Sequence, residues 1–197
     1  VGSFLFFTSF SAFTGVSTGV QTMVARYKGE KRESYYNLPY VIGLVVSFVV
    51  GCLLTGLGVL FADYLVHFFS DDSLILAVAS EYYTYRILGL PFLCICLVIR
   101  GFLNGISHPM RYLYVIIIVH ALNIGLNYCL IYGHFGFEAM GAAGAGLAST
   151  ISVIFGGVIY LLDCRQFVKF RQFFSHAWPV IWDNLCWMGR LSIPAAI

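Results

Sequence analysis

Long charge-free runs alternate with short charged connectors along the chain. The clearest runs are Val1 to Ala25, Leu38 to Leu60, Tyr112 to Tyr132 and Ala139 to Leu162. A helix that crosses a bilayer needs about 20 mostly apolar residues, and each of these runs is long enough. Another run, Ile87 to Ile99, is too short by itself because Arg86 and Arg100 bracket it. Extended to cover Ala79 to Ile106 it becomes a span, with Arg100 snorkelling to one interface and Arg86 near the other end. A last span begins near Leu191. Apolar residues come in blocks and do not alternate, which excludes an outer-membrane barrel. The pattern predicts an all-α polytopic membrane helix bundle, with five complete transmembrane helices and the start of a sixth.

Composition agrees with this reading. Hydrophobic residues make up 60% of the chain and charged residues 10%, where soluble domains carry about 25% charged. Ordinary soluble enzymes are excluded on that ground, and the lipid bilayer is the expected surroundings. A formal net charge of +2 is too small and too scattered for a nucleic-acid surface, so no nucleic-acid partner is expected. The six cysteines lack the short loop spacings of a metal cluster and read as small apolar filler. The first residue is Val1, with no basic segment before its apolar run, so a signal peptide is not expected and the sequence reads as part of a longer protein.

Basic residues set the orientation. Arg26, Lys28, Lys31 and Arg32 follow the first span, Arg100 and Arg111 flank the third connector, and Arg165, Lys169, Arg171 and Arg190 follow the fifth span. The two intervening connectors have none, and Phe61 to Ser73 carries Asp63, Asp71 and Asp72. This is the positive-inside alternation, so the first, third and fifth connectors are expected in the cytoplasm. The first span then enters from outside, which implies an odd number of spans before it. Only Arg86 falls outside the count; Glu81 is at poor helical spacing to pair with it.

Pro39 and Pro109 lie in first turns, where a missing N–H is harmless. Pro91 lies inside the third span and is a hinge candidate. Between Asp163 and Trp187, aromatic residues (Phe167, Phe170, Phe173, Phe174, Trp178, Trp182 and Trp187) are interleaved with charges, as in an amphipathic helix at the cytoplasmic face.

Polar side chains inside lipid are costly and each needs a reason. On the first span Ser3, Thr8, Ser11, Gly15, Thr18, Gln21 and Thr22 recur at roughly helical spacing. They suit either close helix packing or a polar wall along an aqueous cavity. On the fourth span His120, Asn123 and Asn127 share one face. They could coordinate a small cation, relay a proton or bond neighbouring helices. The run from Gly141 to Gly146 resembles a dinucleotide loop only superficially, because no strand precedes it; small residues there permit tight helix contact. No catalytic constellation, phosphate loop or metal-binding repeat is present in the sequence, so neither an enzyme nor a cofactor is expected.

Several segments, taken in order, are similar to the multidrug and toxic compound extrusion (MATE) transporters. They are "GVSTGVQTMVARYKGEKR" at the end of the first span, "LGLPF" and "RGFLNGISHP" across the third, "NIGLNYCLIYGHFGFEAMGAAGAGLAST" joining the fourth and fifth, and "LSIPAAI" near the end. The likeness covers nearly the whole chain. It implies a twelve-helix protein of two six-helix lobes around a cavity that opens alternately to either side. This chain resembles helices two to seven: a partial N-terminal lobe over 1–163, a cytoplasmic interlobe linker over 164–187, and the start of the C-terminal lobe over 188–197. Members export organic cations in exchange for Na⁺ or H⁺. One branch builds a cation site from an Asp on helix one, an Asn and an Asp on helix five, and a hydroxyl on helix six. The helix-five pair matches Asn123 and Asn127, with Asn in place of the Asp, and Ser149 or Thr150 matches the hydroxyl. Lacking that carboxylate, the site is poorly suited to proton coupling, although amide oxygens can ligate Na⁺. The coupling carboxylates of helices one and seven are expected before Val1 and after Ile197.

The resemblance implies a multi-pass antiporter of the bacterial inner membrane. Its partners would be amphipathic or cationic small molecules, the bilayer and a C-terminal lobe of the same polypeptide. Two alternatives remain: a related flippase for lipid-linked sugars, whose cavity should be more basic, and a truncated product that does not transport.

Overall fold

A computed structural model describes residues 2–32, 35–69, 72–168 and 178–196. Among these residues the elements are all helices: α1 (Gly2–Gly29), α2 (Asn37–Leu60), α3 (Ala62–His67), α4 (Ser73–Ile87), α5 (Leu90–Gly105), α6 (Pro109–Tyr132), α7 (Gly141–Cys164) and α8 (Trp178–Ala196). Four are each long and apolar enough to cross a membrane, and α4 with α5 makes a fifth, bent span.

The packing follows from how apolar each helix is around its circumference. α5 is hydrophobic on nearly every side, from Leu90 through Leu103, and such a helix belongs in a bundle centre. It packs against α1, α2 and α7. α6 buries only Val115 and Leu130 along its length and leaves Leu113, Ile117, Ile118 and Ile124 uncovered, an apolar face suited to lipid. Small residues let α7 approach two partners closely. A Cβ on Gly144 would lie 2.6 Å from the Leu130 carbonyl oxygen of α6, and one on Gly146 would lie 2.7 Å from the Tyr82 carbonyl oxygen of α4. The Gly141 to Gly146 run is therefore packing surface at these positions. α6 itself ends on Gly133, whose φ of 73° is the left-handed cap that glycine adopts readily.

The third span breaks where proline chemistry requires it. Pro91 has no N–H to offer the Ile87 carbonyl, and its ring crowds that group. α4 accordingly stops at Ile87, α5 restarts at Leu90, and the two halves meet at 50°. Hydroxyls from two other helices replace the lost backbone bonds, as membrane interiors demand. Thr55 Oγ1 of α2 donates to Ile87 O at 3.1 Å, and Thr150 Oγ1 of α7 donates to Tyr85 O at 2.8 Å and to Arg86 O at 3.3 Å. Gly51 of α2 has room only for hydrogen, since a Cβ there would meet Pro91 Cα at 2.8 Å.

Two boundaries differ from the sequence expectation. α4 begins at Ser73, before the expected Ala79, so Arg86 lies at the break inside the span and not near its end. α8 begins at Trp178 and continues to Ala196, well before the start expected near Leu191. Asp183 and Arg190 hide this helix from a search for charge-free runs, whereas Pro179 in its first turn is a helix-start signal. Asp71, Lys169, Phe170, Arg171, Phe173 and Phe174 lie outside the described residues.

The basic connectors gather at one end. Lys28 Nζ donates to Ile106 O at 2.6 Å, Arg111 pairs with Asp163 at 2.6 Å, and Tyr27 Oη donates to Asn184 Oδ1 at 2.7 Å. These contacts bring together the end of α1, the end of α5, the start of α6, the end of α7, and α8. In the last turn of α1, Arg26 Nε donates to Oε1 of Glu30, just past the helix, at 2.9 Å and lowers that carboxyl's pKa from its ordinary value.

Candidate functional site

Helical spacing puts Asn123 and Asn127 one turn apart on α6. Asn127 Nδ2 donates to Asn123 Oδ1 at 3.1 Å, and Asn123 Nδ2 donates to Ser149 Oγ of α7 at 3.3 Å. The donors thus run in one direction, from Asn127 through Asn123 to Ser149. At the start of the chain Asn127 Oδ1 is buried with no hydrogen-bond partner. An unsatisfied buried acceptor is uncommon and costs about 1–3 kcal/mol. The cluster therefore presents neutral oxygens, one of them unused, and oxygens of this kind ligate hard cations. It holds no carboxylate and so offers no proton store of its own.

The other expected site residues separate from this cluster. Thr150, next to Ser149 in sequence, is 4% exposed and turned toward α4, where it closes the span break. His120 shares the α6 face but lines a different cavity, of about 190 Å³, together with Arg86 of α4, Tyr112 and Tyr160. Gln21 of α1 lines a polar cavity of about 130 Å³ with Thr14, Ser17, Thr18 and Arg100. Pro91 sits in the first turn of α5, beside the break.

The polar face of α1 divides between the two roles considered for it. Ser17 packs: its hydroxyl donates to Leu97 O of α5 at 2.6 Å, and Gly101 leaves that approach clear, since a Cβ there would sit 2.3 Å from Ser17 O. Thr14, Thr18, Gln21 and Thr22 are exposed. The three threonine hydroxyls donate to carbonyls of their own helix, Thr14 to Ser11 O at 2.7 Å, Thr18 to Thr14 O at 3.1 Å and Thr22 to Thr18 O at 2.9 Å. An open polar strip on a spanning helix suits water or a polar partner and not lipid.

Sequence reasoning missed the role of Thr55 and the surroundings of Arg86. A hydroxyl inside a charge-free run was the available signal for Thr55. Among the described residues no group of three or more His, Cys, Asp or Glu side chains could hold a metal ion.

The MatE family profile matches residues 1–129. The chain is 28% identical over 195 residues to the probable multidrug resistance protein NorM of Rhizobium meliloti, covering 98% of this chain and 42% of that protein. It is 26% identical over 203 residues to the NorM of Idiomarina loihiensis, covering 100% and 43%. The chain thus spans about two fifths of the length of these curated relatives. A solved outward-facing multidrug resistance MATE family transporter of the MOP superfamily has the same fold, with a TM-score of 0.84 and 21% identity over 99% of this chain and 43% of that one.

Proposed function

Since the chain belongs to the MatE family, we propose that it supplies most of one lobe of a multi-pass inner-membrane antiporter that exports amphipathic or cationic small molecules in exchange for Na⁺ or H⁺. The observation that carries this reading is the Asn127–Asn123–Ser149 relay with its unused, buried Asn127 oxygen. A partly dehydrated Na⁺ would be bound there by amide and hydroxyl oxygens. A proton-driven cycle would have to use an acid elsewhere in the polypeptide. Two further features support transport: the uncovered polar strip of α1, suited to the wall of a water-filled path, and the 50° break in the third span, a place where two rigid half-helices can change angle. In this proposal residues 1–163 belong to the N-terminal lobe, and a second lobe of the same polypeptide closes the path. Rocking of one lobe against the other would expose the polar strip to each side in turn.

The reading is tested with the full-length polypeptide in sealed vesicles. Adding an organic cation such as ethidium should dissipate a preset Na⁺ or H⁺ gradient, and dissipation should stop when protein is left out. A gradient that stays intact for every organic cation tried overturns antiport.

A further inference from the structure

We infer that the cavity between α4, α5, α6 and α7 is an anion subsite, in which Arg86 holds the carboxylate of a single-ring aromatic acid. Arg86 lies at the span break. Its carbonyl accepts from Thr150 of α7, which stands roughly 14 Å of helix rise from Gly141 at about 1.5 Å per residue. That is about half of a hydrocarbon core roughly 30 Å thick. A guanidinium at this depth needs partners. One face is stacked over the Phe6 ring of α1, 3.9 Å from its centroid, and the Tyr82 hydroxyl lies beside it. The Nη1 atom is buried with no hydrogen-bond partner. Among the described residues the ion pairs are Arg26–Glu30, Arg32–Glu30 and Arg111–Asp163, and none engages Arg86.

The space beside Arg86 has the matching shape and chemistry. The cavity is about 190 Å³ and mostly apolar, with Leu93 and Val153 on its walls. Tyr112 and Tyr160 also line it, and they stack on each other with centroids 5.3 Å apart and rings 7° from parallel. His120, exposed on α6, stands in the same wall. A cavity of about 150 Å³ accepts benzene, so this one has room for a ring that bears a carboxylate. Carboxylate matches the planar donor fork of Arg and forms its strong charge-assisted pairs. Lipid phosphates lie at the interfaces, about 15 Å from mid-core.

Equilibrium binding tests this without reference to transport. Full-length protein in phosphatidylcholine nanodiscs is titrated with 4-fluorobenzoate, 4-fluorobenzamide and 4-fluorobenzylammonium, followed by fluorine NMR, with empty nanodiscs subtracted. The acid should bind at least tenfold tighter than the amide, and the amine weaker still. Arg86→Gln should abolish the preference and Arg86→Lys should keep part of it. Ile116→Trp fills the cavity from α6 without touching the charge, and should also cut binding of the acid at least tenfold while the unfolding temperature holds. If Arg86→Gln does not fold, the wild-type series and Ile116→Trp decide. Equal binding of acid and amide by the wild type overturns the inference, as does unaltered acid binding in folded Arg86→Gln or Ile116→Trp. Displacement of the acid by dimethyl phosphate as readily as by unlabelled benzoate assigns the site to lipid phosphodiesters and also overturns it.

Discussion

The hydroxyl of Thr55 donates to the carbonyl of Ile87 at 3.1 Å, the acceptor that Pro91 cannot serve four residues later. Together with Thr150, which serves Tyr85 and Arg86, it closes a break in a membrane span with side chains from two different helices. The break is thus held by hydroxyls from α2 and α7, and its angle depends on where those helices stand.

Removing either hydroxyl should loosen this clasp. Thr55→Val and Thr150→Val keep side-chain volume and leave carbonyls unpaired in an apolar setting. Each should cost about 1–3 kcal/mol, read as a lower unfolding temperature in detergent. Melting curves unchanged in both variants would show that the clasp does not stabilise the fold.

Pro91→Ala gives the backbone N–H back to Ile87 and should straighten the span. Spin labels at Val78 and Ser107, on either side of the break, should move apart. Stability should hold or rise while transport by the intact protein falls several-fold. A straightened span with full transport would remove the break from the mechanism.

Arg111 and Asp163 join the start of α6 to the end of α7 at 2.6 Å. Both are partly exposed, so Arg111→Ala should cost only about 1 kcal/mol, with Gln166 Nε2, 3.1 Å from Asp163 Oδ1, still in place. The reversed pair, Arg111→Asp with Asp163→Arg, should recover most of the lost unfolding temperature. A loss as large in the reversed pair as in the single variant would contradict a direct charge interaction.

Charge counting located helices that lack charges and missed the starts of those that contain them. α2 runs Asn37–Leu60, beside the run expected from Leu38 to Leu60, because its limits are set by flanking polar residues. α8 starts at Trp178 with Asp183 and Arg190 inside it, where a count of charge-free runs finds no helix, and α4 starts at Ser73, six residues before Ala79, in an uncharged segment that the span length alone does not require. That displacement moved Arg86 from a span end to the interior. Helical periodicity did bring Asn123 and Asn127 together. It could not choose between Ser149 and Thr150, since adjacent residues point about 100° apart and the choice depends on which helix lies on each side of α7. The Thr55 clasp joins residues far apart in sequence, and no local pattern encodes it.

The most direct test of the proposed exchange is uptake of ethidium into vesicles of the full-length polypeptide under an imposed Na⁺ or H⁺ gradient, comparing wild type with Asn127→Ala. The account predicts gradient-driven uptake in the wild type and at least a tenfold loss in Asn127→Ala, with ordinary folding by melting temperature. Uptake at the wild-type rate in folded Asn127→Ala would make the amide pair structural, and no uptake under either gradient in the wild type would contradict the exchange itself.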